Sequence, residues 1–565
     1  MKRALVHLLV LVFAIALMPA NTYSQQVNDK QAEQALRQKA YSLLESLAGE
    51  SGSLQSDENR ARMGSNIAES LWAHNETKAR EIFASVIREI KAGLQDNDKD
   101  PDRGRTRPVF LKLREDTALR IGKHDPEMAL AFLKESKPLT IKLDNKTEAT
   151  LYLLLATQSA ASNPDLALKL GRESLQVDLL DPQLFLLYEL TKKSPDHASI
   201  FFKELVKSVR QQYIGIDGQP QQFALMLARL FNPLPADESS FRDLMTYFTD
   251  VAVKNDCGMK KQKTNDASYF CYRLGLIIPL MEKVNPKRVA PMKHLARRAS
   301  IYDWNPELGK YAEVYQNGSV DDLLAMIPEY PEFREFGQSV VIRKIQESGD
   351  FERARKLTNE FTWEEPSSKQ EVLKQLDHNQ RVATEDTSAE LFREANELPN
   401  ESEKFNYFFR KATEIGSTNR TTTTKLLDRA NEILDTFPPE KWQMQYQIGI
   451  AMRYCQVKSD RCFTMIEPII RRMNELVSAA IKLDGFDNRY LRNGEWNMTA
   501  EGGVGSLLTM LAQNASYFGL CDFDRAMALS SQFERREIRM MAQLKLAQGV
   551  LDGSPKRPLF YNDEH

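Results

Sequence analysis

His124-Asp125-Pro126-Glu127-Met128-Ala129-Leu130-Ala131-Phe132-Leu133 is a helix start with a stop before it. Asp125 can cap the helix. Pro126 suits the first helical position, where its missing N–H has no partner to lose, and Glu127 sits at the positive end of the helix dipole. Met128 and Phe132, like Ala129 and Leu133, fall one turn apart and build an apolar stripe. The phrase returns in altered form along the chain: Asn163-Pro164-Asp165 before Ala167, Ser194-Pro195-Asp196 before Ala198, Gly349-Asp350-Phe351 before Ala354, and Asp522-Phe523-Asp524 before Ala526.

Around these turns the apolar residues recur at helical spacing. Ala32, Leu36, Ala40, Leu43 and Leu47 stripe a first helix that ends near Gly49 to Gly52. Ala61 to Trp72, the turn His74-Asn75-Glu76-Thr77, and the stripe Ala79, Phe83, Val86, Ile90 make a first hairpin. Val109 to Ile121 pairs across the opening stretch with Met128 to Leu133, Thr147 to Ala161 pairs with Leu166 to Leu175, and Leu184 to Leu190 pairs with Ala198 to Leu205. Asp96 to Pro108 is charged and carries two prolines, so it reads as an exposed loop. Asn232 to Ser240 breaks the array and is the best domain boundary. Ser367 to Ser388 is polar and reads as an exposed helix or a linker. Hairpins resume through the last third, interrupted by a long connection from Ile481 to Gly505. No segment reads as a strand. The expected fold is all-α, with helix hairpins stacked as an α-solenoid or superhelix in two or three segments. Those segments are 25–231, 241–366 and 389–552, and a disordered tail follows at 553–565.

Gly349-Asp350-Phe351-Glu352-Arg353-Ala354 resembles the turn and second-helix start of tetratricopeptide repeats, where a Gly, an aromatic and an Ala recur at this spacing. Asp522 to Ala526 keeps the pattern with Cys521 in place of the glycine. At the three proline turns, Pro126, Pro164 and Pro195 stand where the aromatic would be. They are 38 and 31 residues apart, which brackets the repeat of about 34 residues. The first-helix Trp-Leu-Gly and the closing Pro of the family are missing, so the likeness covers about half the chain in fragments. It implies binding of a protein or peptide on a concave face, without catalysis.

Lys2 and Arg3, an apolar run from Ala4 to Met18, and small residues at Thr22 and Ser24 form a signal peptide over 1–24, cut before Gln25. The run is too short for a span of roughly 20 residues. The mature chain is then exported, periplasmic or extracellular, with no integral membrane segment. A net charge of −2 and a pI near 6.5 give no basic excess for nucleic acid. Of five cysteines, Cys257 with Cys271 and Cys455 with Cys462 are the candidate disulfides, leaving Cys521 over. Their spacings match no zinc pattern.

Chemistry-bearing motifs are few. Glu501-Gly502-Gly503-Val504-Gly505-Ser506 precedes a helix and could cradle an anion, but no strand precedes it and no Lys follows. With Trp496 beside it, Gly502, Gly503 and Gly505 form the one candidate ligand-contact loop; the competing reading is a capped loop over a core tryptophan. His74, His124 and His197 all fall in inter-helix turns, without the His-x-x-x-His spacing of a metal site. Asp321-Asp322 and Glu364-Glu365 are adjacent, so on a helix each pair diverges by about 100° and makes no acid/base pair. Seven Asn-x-Ser/Thr sites occur, and they matter only in a host that glycosylates. The expected function is non-catalytic binding of a protein or peptide partner, with no metal or cofactor. The alternative is a helical enzyme, or enzyme-associated superhelix, acting on envelope polysaccharide.

Overall fold

The structure is a computed structural model. It describes residues 20–95, 103–140, 144–212, 223–224, 226–228, 238–254, 278–284, 286–290, 318–328, 334–363, 365–438, 441–457, 459–484, 490–500 and 502–553. Most of the expected signal segment, Cys257, Cys271, Glu501, most of the Asn232 to Ser240 break and nearly all of the tail lie outside the described residues.

The helices in chain order are α1 (Ala20–Ser51), α2 (Asp57–Leu71), α3 (Glu76–Gln95), α4 (Arg103–Gly122), α5 (Pro126–Ser136), α6 (Asn145–Ser159), α7 (Pro164–Leu175), α8 (Pro182–Lys193), α9 (Pro195–Gln212), α10 (Glu238–Lys254) and α11 (Ile278–Val284). They continue with α12 (Val320–Met326), α13 (Arg334–Glu347), α14 (Phe351–Glu360), α15 (Pro366–Thr384), α16 (Ser388–Asn396), α17 (Glu401–Ile415) and α18 (Arg420–Leu434). The last are α19 (Lys441–Gln456), α20 (Arg461–Asp484), α21 (Gly503–Cys521), α22 (Phe523–Ser530) and α23 (Arg536–Asp552). The chain forms two compact units, one of residues 90–377 and one of residues 1–89 with 378–565.

One turn recurs in both units. A polar residue caps the second helix of a hairpin by accepting a backbone N–H with its side chain, and the residue four places on is a buried alanine. Asp125 accepts from the Met128 N–H at 2.8 Å, Asn163 from Leu166 at 3.1 Å, Asp350 from Arg353 at 3.0 Å, Asn75 from Lys78 at 3.1 Å, and Asp522 from Arg525 at 3.0 Å. The alanine N–H then donates to the capping residue's own carbonyl: Ala129 to Asp125, Ala167 to Asn163, Ala198 to Ser194, Ala354 to Asp350, Ala79 to Asn75 and Ala526 to Asp522, all at 3.0–3.1 Å. All six alanines are buried. The cap satisfies a helix-end donor, and the small side chain lets the paired helices approach.

In the central unit α4/α5, α6/α7 and α8/α9 are hairpins, and α4 also packs on α6, α6 on α8, and α7 on α9. Each hairpin thus covers the apolar face of the next, which is solenoid stacking. Gly171 marks a close approach: a Cβ there would lie 2.8 Å from both Leu186 and Phe201. A buried ion pair ties three helices together. Arg114 on α4 holds both carboxylate oxygens of Glu148 on α6, at 2.6 and 3.1 Å, and donates to Ser136 Oγ at 2.7 Å and the Leu133 carbonyl at 2.9 Å on α5. Arg114 and Glu148 are 1% and 4% exposed, so each charge depends on the other.

In the terminal unit α17/α18 and α19/α20 are hairpins, and α19 packs on α21, which packs on α23. The first helices of the chain join its last: α1 and α2 both pack on α23. Arg37 donates to the Leu551 carbonyl at 3.0 Å, and Arg536 to the Glu50 carbonyl at 2.5 Å.

Two expectations are corrected, and one left open is decided. Residues 103–108, read as loop from their composition, belong to helix α4, which begins at Arg103 and runs through Pro108; Pro108 lies past the first turn, so its missing N–H leaves the Gly104 carbonyl without a helical donor, a cost the helix carries. Of the two readings of Ser367 to Ser388, exposed helix or linker, the helix holds over residues 366–384, with Leu376 its fully buried anchor. A strand pair exists: β1 (Leu491–Arg492) and β2 (Glu495–Trp496) run antiparallel, Leu491 opposite Trp496.

Ala167→Leu is expected to lower the stability of the central unit by ~1–3 kcal/mol through overpacking, read as an earlier urea midpoint; an unchanged midpoint would contradict the close crossing. Arg114→Ala should cost ~3–5 kcal/mol by stranding the Glu148 charge, while Arg114→Met combined with Glu148→Leu should cost far less. Equal losses in the two variants would show that the ion pair is not the cause.

Candidate functional site

Helices α18, α19 and α20 enclose a cleft of about 690 Å³. Helical spacing sets its walls. Asp428, Asn431, Glu432 and Asp435 are three or four residues apart and come to one face at α18 and its C-cap. Arg461, Thr464, Met465, Pro468 and Arg472 do the same on α20, and Met444, Gln447 and Tyr454 of α19 form the floor. Carboxylates therefore line one wall and guanidinium groups the other.

The cleft is tied internally at one end. Asp428 accepts from the Tyr454 hydroxyl at 2.6 Å and pairs with Arg461. Burial, with the Glu432 charge adding to it, holds the Tyr454 phenol above the usual tyrosine range, so it remains a donor. Glu432 pairs with Arg429 at 2.7 Å. Arg472 is half-buried and has no acidic partner among the described residues. Pro468, inside α20, has no N–H to give the Thr464 carbonyl, so a backbone acceptor on this wall lacks its helical donor.

Asn431 is the unusual member. Its amide nitrogen donates to Asp435 at 3.2 Å, which fixes the amide's orientation. Its amide oxygen is buried and finds no donor in the structure. A buried acceptor left without a partner costs roughly 1–3 kcal/mol, and Asn431 is one of the residues that line the cleft.

The loop singled out in the sequence has a structural task. Asn493 and Gly494 both have positive φ, 50° and 77°, and they turn β1 into β2 as a two-residue hairpin of the kind Asn-Gly favours. That dipeptide is the signal which could have shown the strands. Trp496 is 1% exposed and stacks on Tyr490 at 5.2 Å, so it is core and not a ligand platform. Its neighbour Glu495, also buried, accepts from the Gln55 and Ser56 N–H groups at 2.7 and 3.0 Å, just ahead of α2. Asn59 donates to the Trp496 carbonyl at 2.9 Å. Arg492 and Thr499 reach Glu58 at 2.5 and 2.9 Å. The hairpin docks the C-terminal half of this unit onto the N-terminal helices.

Gly502 and Gly503 have φ of 77° and 47° and start α21; at Gly505 a Cβ would lie 2.1 Å from the Ala500 carbonyl oxygen. These glycines serve a tight helix entry. Cys455 and Cys462 are joined in a disulfide. Of the turn histidines, His74 stacks on Tyr41 at 4.0 Å, and His197 lies 2.7 Å from Ser194 Oγ and 3.0 Å from Asp165. On the central unit Phe185 and Tyr188 are exposed on α8, three residues apart on one helix.

No family model matches the chain, and no curated protein matches it. Among solved structures, a circular tandem repeat protein with novel repeat topology and enhanced subunit contact surfaces is aligned over 92% of this chain and 99% of that chain, at 11% identity and a TM-score of 0.18. So low an overlap carries no argument; the helical-repeat fold stands on this chain's own helices and contacts.

Glu495→Ala strands the two N–H groups ahead of α2 and is expected to cost ~1.5–3 kcal/mol, as hydrogen bonds to a charged group do. Hydrogen exchange at Gln55 and Ser56 checks it: faster exchange there is expected, and unchanged protection would contradict the docking role.

Proposed function

We propose that this chain is an exported, non-catalytic helical-repeat scaffold that binds a protein or peptide segment in the α18–α20 cleft. The observation that carries the reading is the Asn431 amide oxygen, buried, oriented by Asp435 and without a donor. A peptide N–H, an amide side chain or an ammonium supplies that donor. The walls support the same class of ligand. Asp428, Glu432 and Asp435 offer negative charge on one side and Arg472 positive charge on the other, which suits a segment carrying both signs. The volume lies in the range of sites that hold a few side chains, roughly 300–1,000 Å³.

Export rests on the N-terminal sequence pattern. Among the described residues no helix is long and apolar enough to cross a membrane. Hydrolysis of a polysaccharide needs two carboxylates flanking one bond; in this cleft the carboxylates share α18 and its cap while α20 supplies arginines, so the polysaccharide reading gains nothing from it.

The test compares the mature chain with an Asp435→Lys/Arg472→Glu variant, both offered to an envelope extract of the source organism. Recovery of a protein by the native chain and at least tenfold less by the variant is expected. Recovery of a sugar polymer with no protein, or equal protein recovery by both chains, would overturn the proposal.

A further inference from the structure

Three sulfurs meet where the α19–α20 turn packs near the end of α21. The Cys455–Cys462 disulfide closes that turn, with the two Cα atoms 5.3 Å apart. Cys521 is the last residue of α21 and a thiol outside that bond. The three Sγ atoms all lie within 4.8 Å of one another. Cys455 and Cys462 are 5% and 0% exposed, whereas Cys521 is half-buried, so the third sulfur is the one solvent reaches best. Neighbouring contacts hold the arrangement. Asp522 caps α22, and Arg525 in the first turn of α22 pairs with Asp460 of the α19–α20 turn at 2.7 Å. The same guanidinium lies over the Phe463 ring at 4.4 Å.

We propose that this trio is a thiol–disulfide exchange site, with Cys521 as the exchanging thiol. Deprotonated Cys521 attacks Sγ of Cys455 or Cys462. A bond forms from Cys521 to the sulfur attacked as the Cys455–Cys462 bond breaks. The displaced sulfur leaves with the bonding pair as a thiolate and takes up the proton that Cys521 released. These three cysteines hold one disulfide and one thiol before and after, so no external oxidant or reductant is consumed. Two covalent arrangements result: one closes the α19–α20 turn, and the other ties that turn to the end of α21. Tyr454 and Arg461, the two groups on Asp428, are the immediate chain neighbours of Cys455 and Cys462. Opening the turn therefore loosens one end of the cleft. That consequence rests on the cleft reading; the exchange itself does not.

The test maps disulfides in the intact, folded chain by acid quench, alkylation, proteolysis and mass spectrometry. In a glutathione redox buffer without denaturant, Cys455→Ser is expected to form a Cys462–Cys521 bond and Cys462→Ser a Cys455–Cys521 bond, while Cys521→Ser keeps the Cys455–Cys462 bond. The wild type gives a second readout that needs no variant. Brief native alkylation should label Cys455 or Cys462 in a fraction of chains, beside Cys521 in the rest. Label on Cys521 with none on Cys455 or Cys462 in the wild type overturns the proposal, as does an absence of any bond to Cys521 in the two folded serine variants. Neither readout depends on partner binding, so failure of the cleft reading leaves the exchange intact, and the reverse also holds.

Discussion

Everything in this fold depends on how closely two helices can cross after a short turn. A capping side chain fixes where the second helix starts, and four residues later a buried alanine sits where the pair meets. The spacing is dictated by the α-helix itself: the alanine N–H is the first to reach back to the capping residue's carbonyl. A larger residue there would push the helices apart, and the apolar stripes beside it would lose contact with the next hairpin. In a stacked array that loss is shared with both neighbours, because no hairpin buries its own apolar face.

The architecture was legible because this constraint is local. Asp125, Asn163, Ser194 and Asp350 announce themselves as caps, and the alanines follow at fixed distance. What composition obscured was also local: Pro108 sits inside a helix that runs through it despite the lost N–H, and Asn493-Gly494 makes a hairpin of two-residue strands too short to show a period. The contact between the chain's two ends was not legible. Glu495 and Gln55 are 440 residues apart, and no periodicity links them. Trp496 shows the same limit. An aromatic residue beside a glycine-rich segment reads equally as a ligand platform or as core, and only the docking of Glu495 and Asn59 around it decides.

The cleft was beyond the sequence for a related reason. Its acidic residues follow one helix period on α18 and its basic residues another on α20, and each set alone reads as a solvated helix face. Only packing turns two ordinary charged faces into opposite walls. Most polar groups there find partners within the chain, as Asp428 does with Tyr454 and Arg461. Asn431 differs because one half of its amide is satisfied by Asp435 and the other half is buried without a donor.

The most direct measurement is hydrogen exchange of the full chain, alone and with a saturating envelope fraction. If the cleft is where a partner seats, protection should rise at residues 428–435 and 461–472 while the five capped turns stay as they are. A rise confined to other helices, with those two stretches unchanged, would contradict the account.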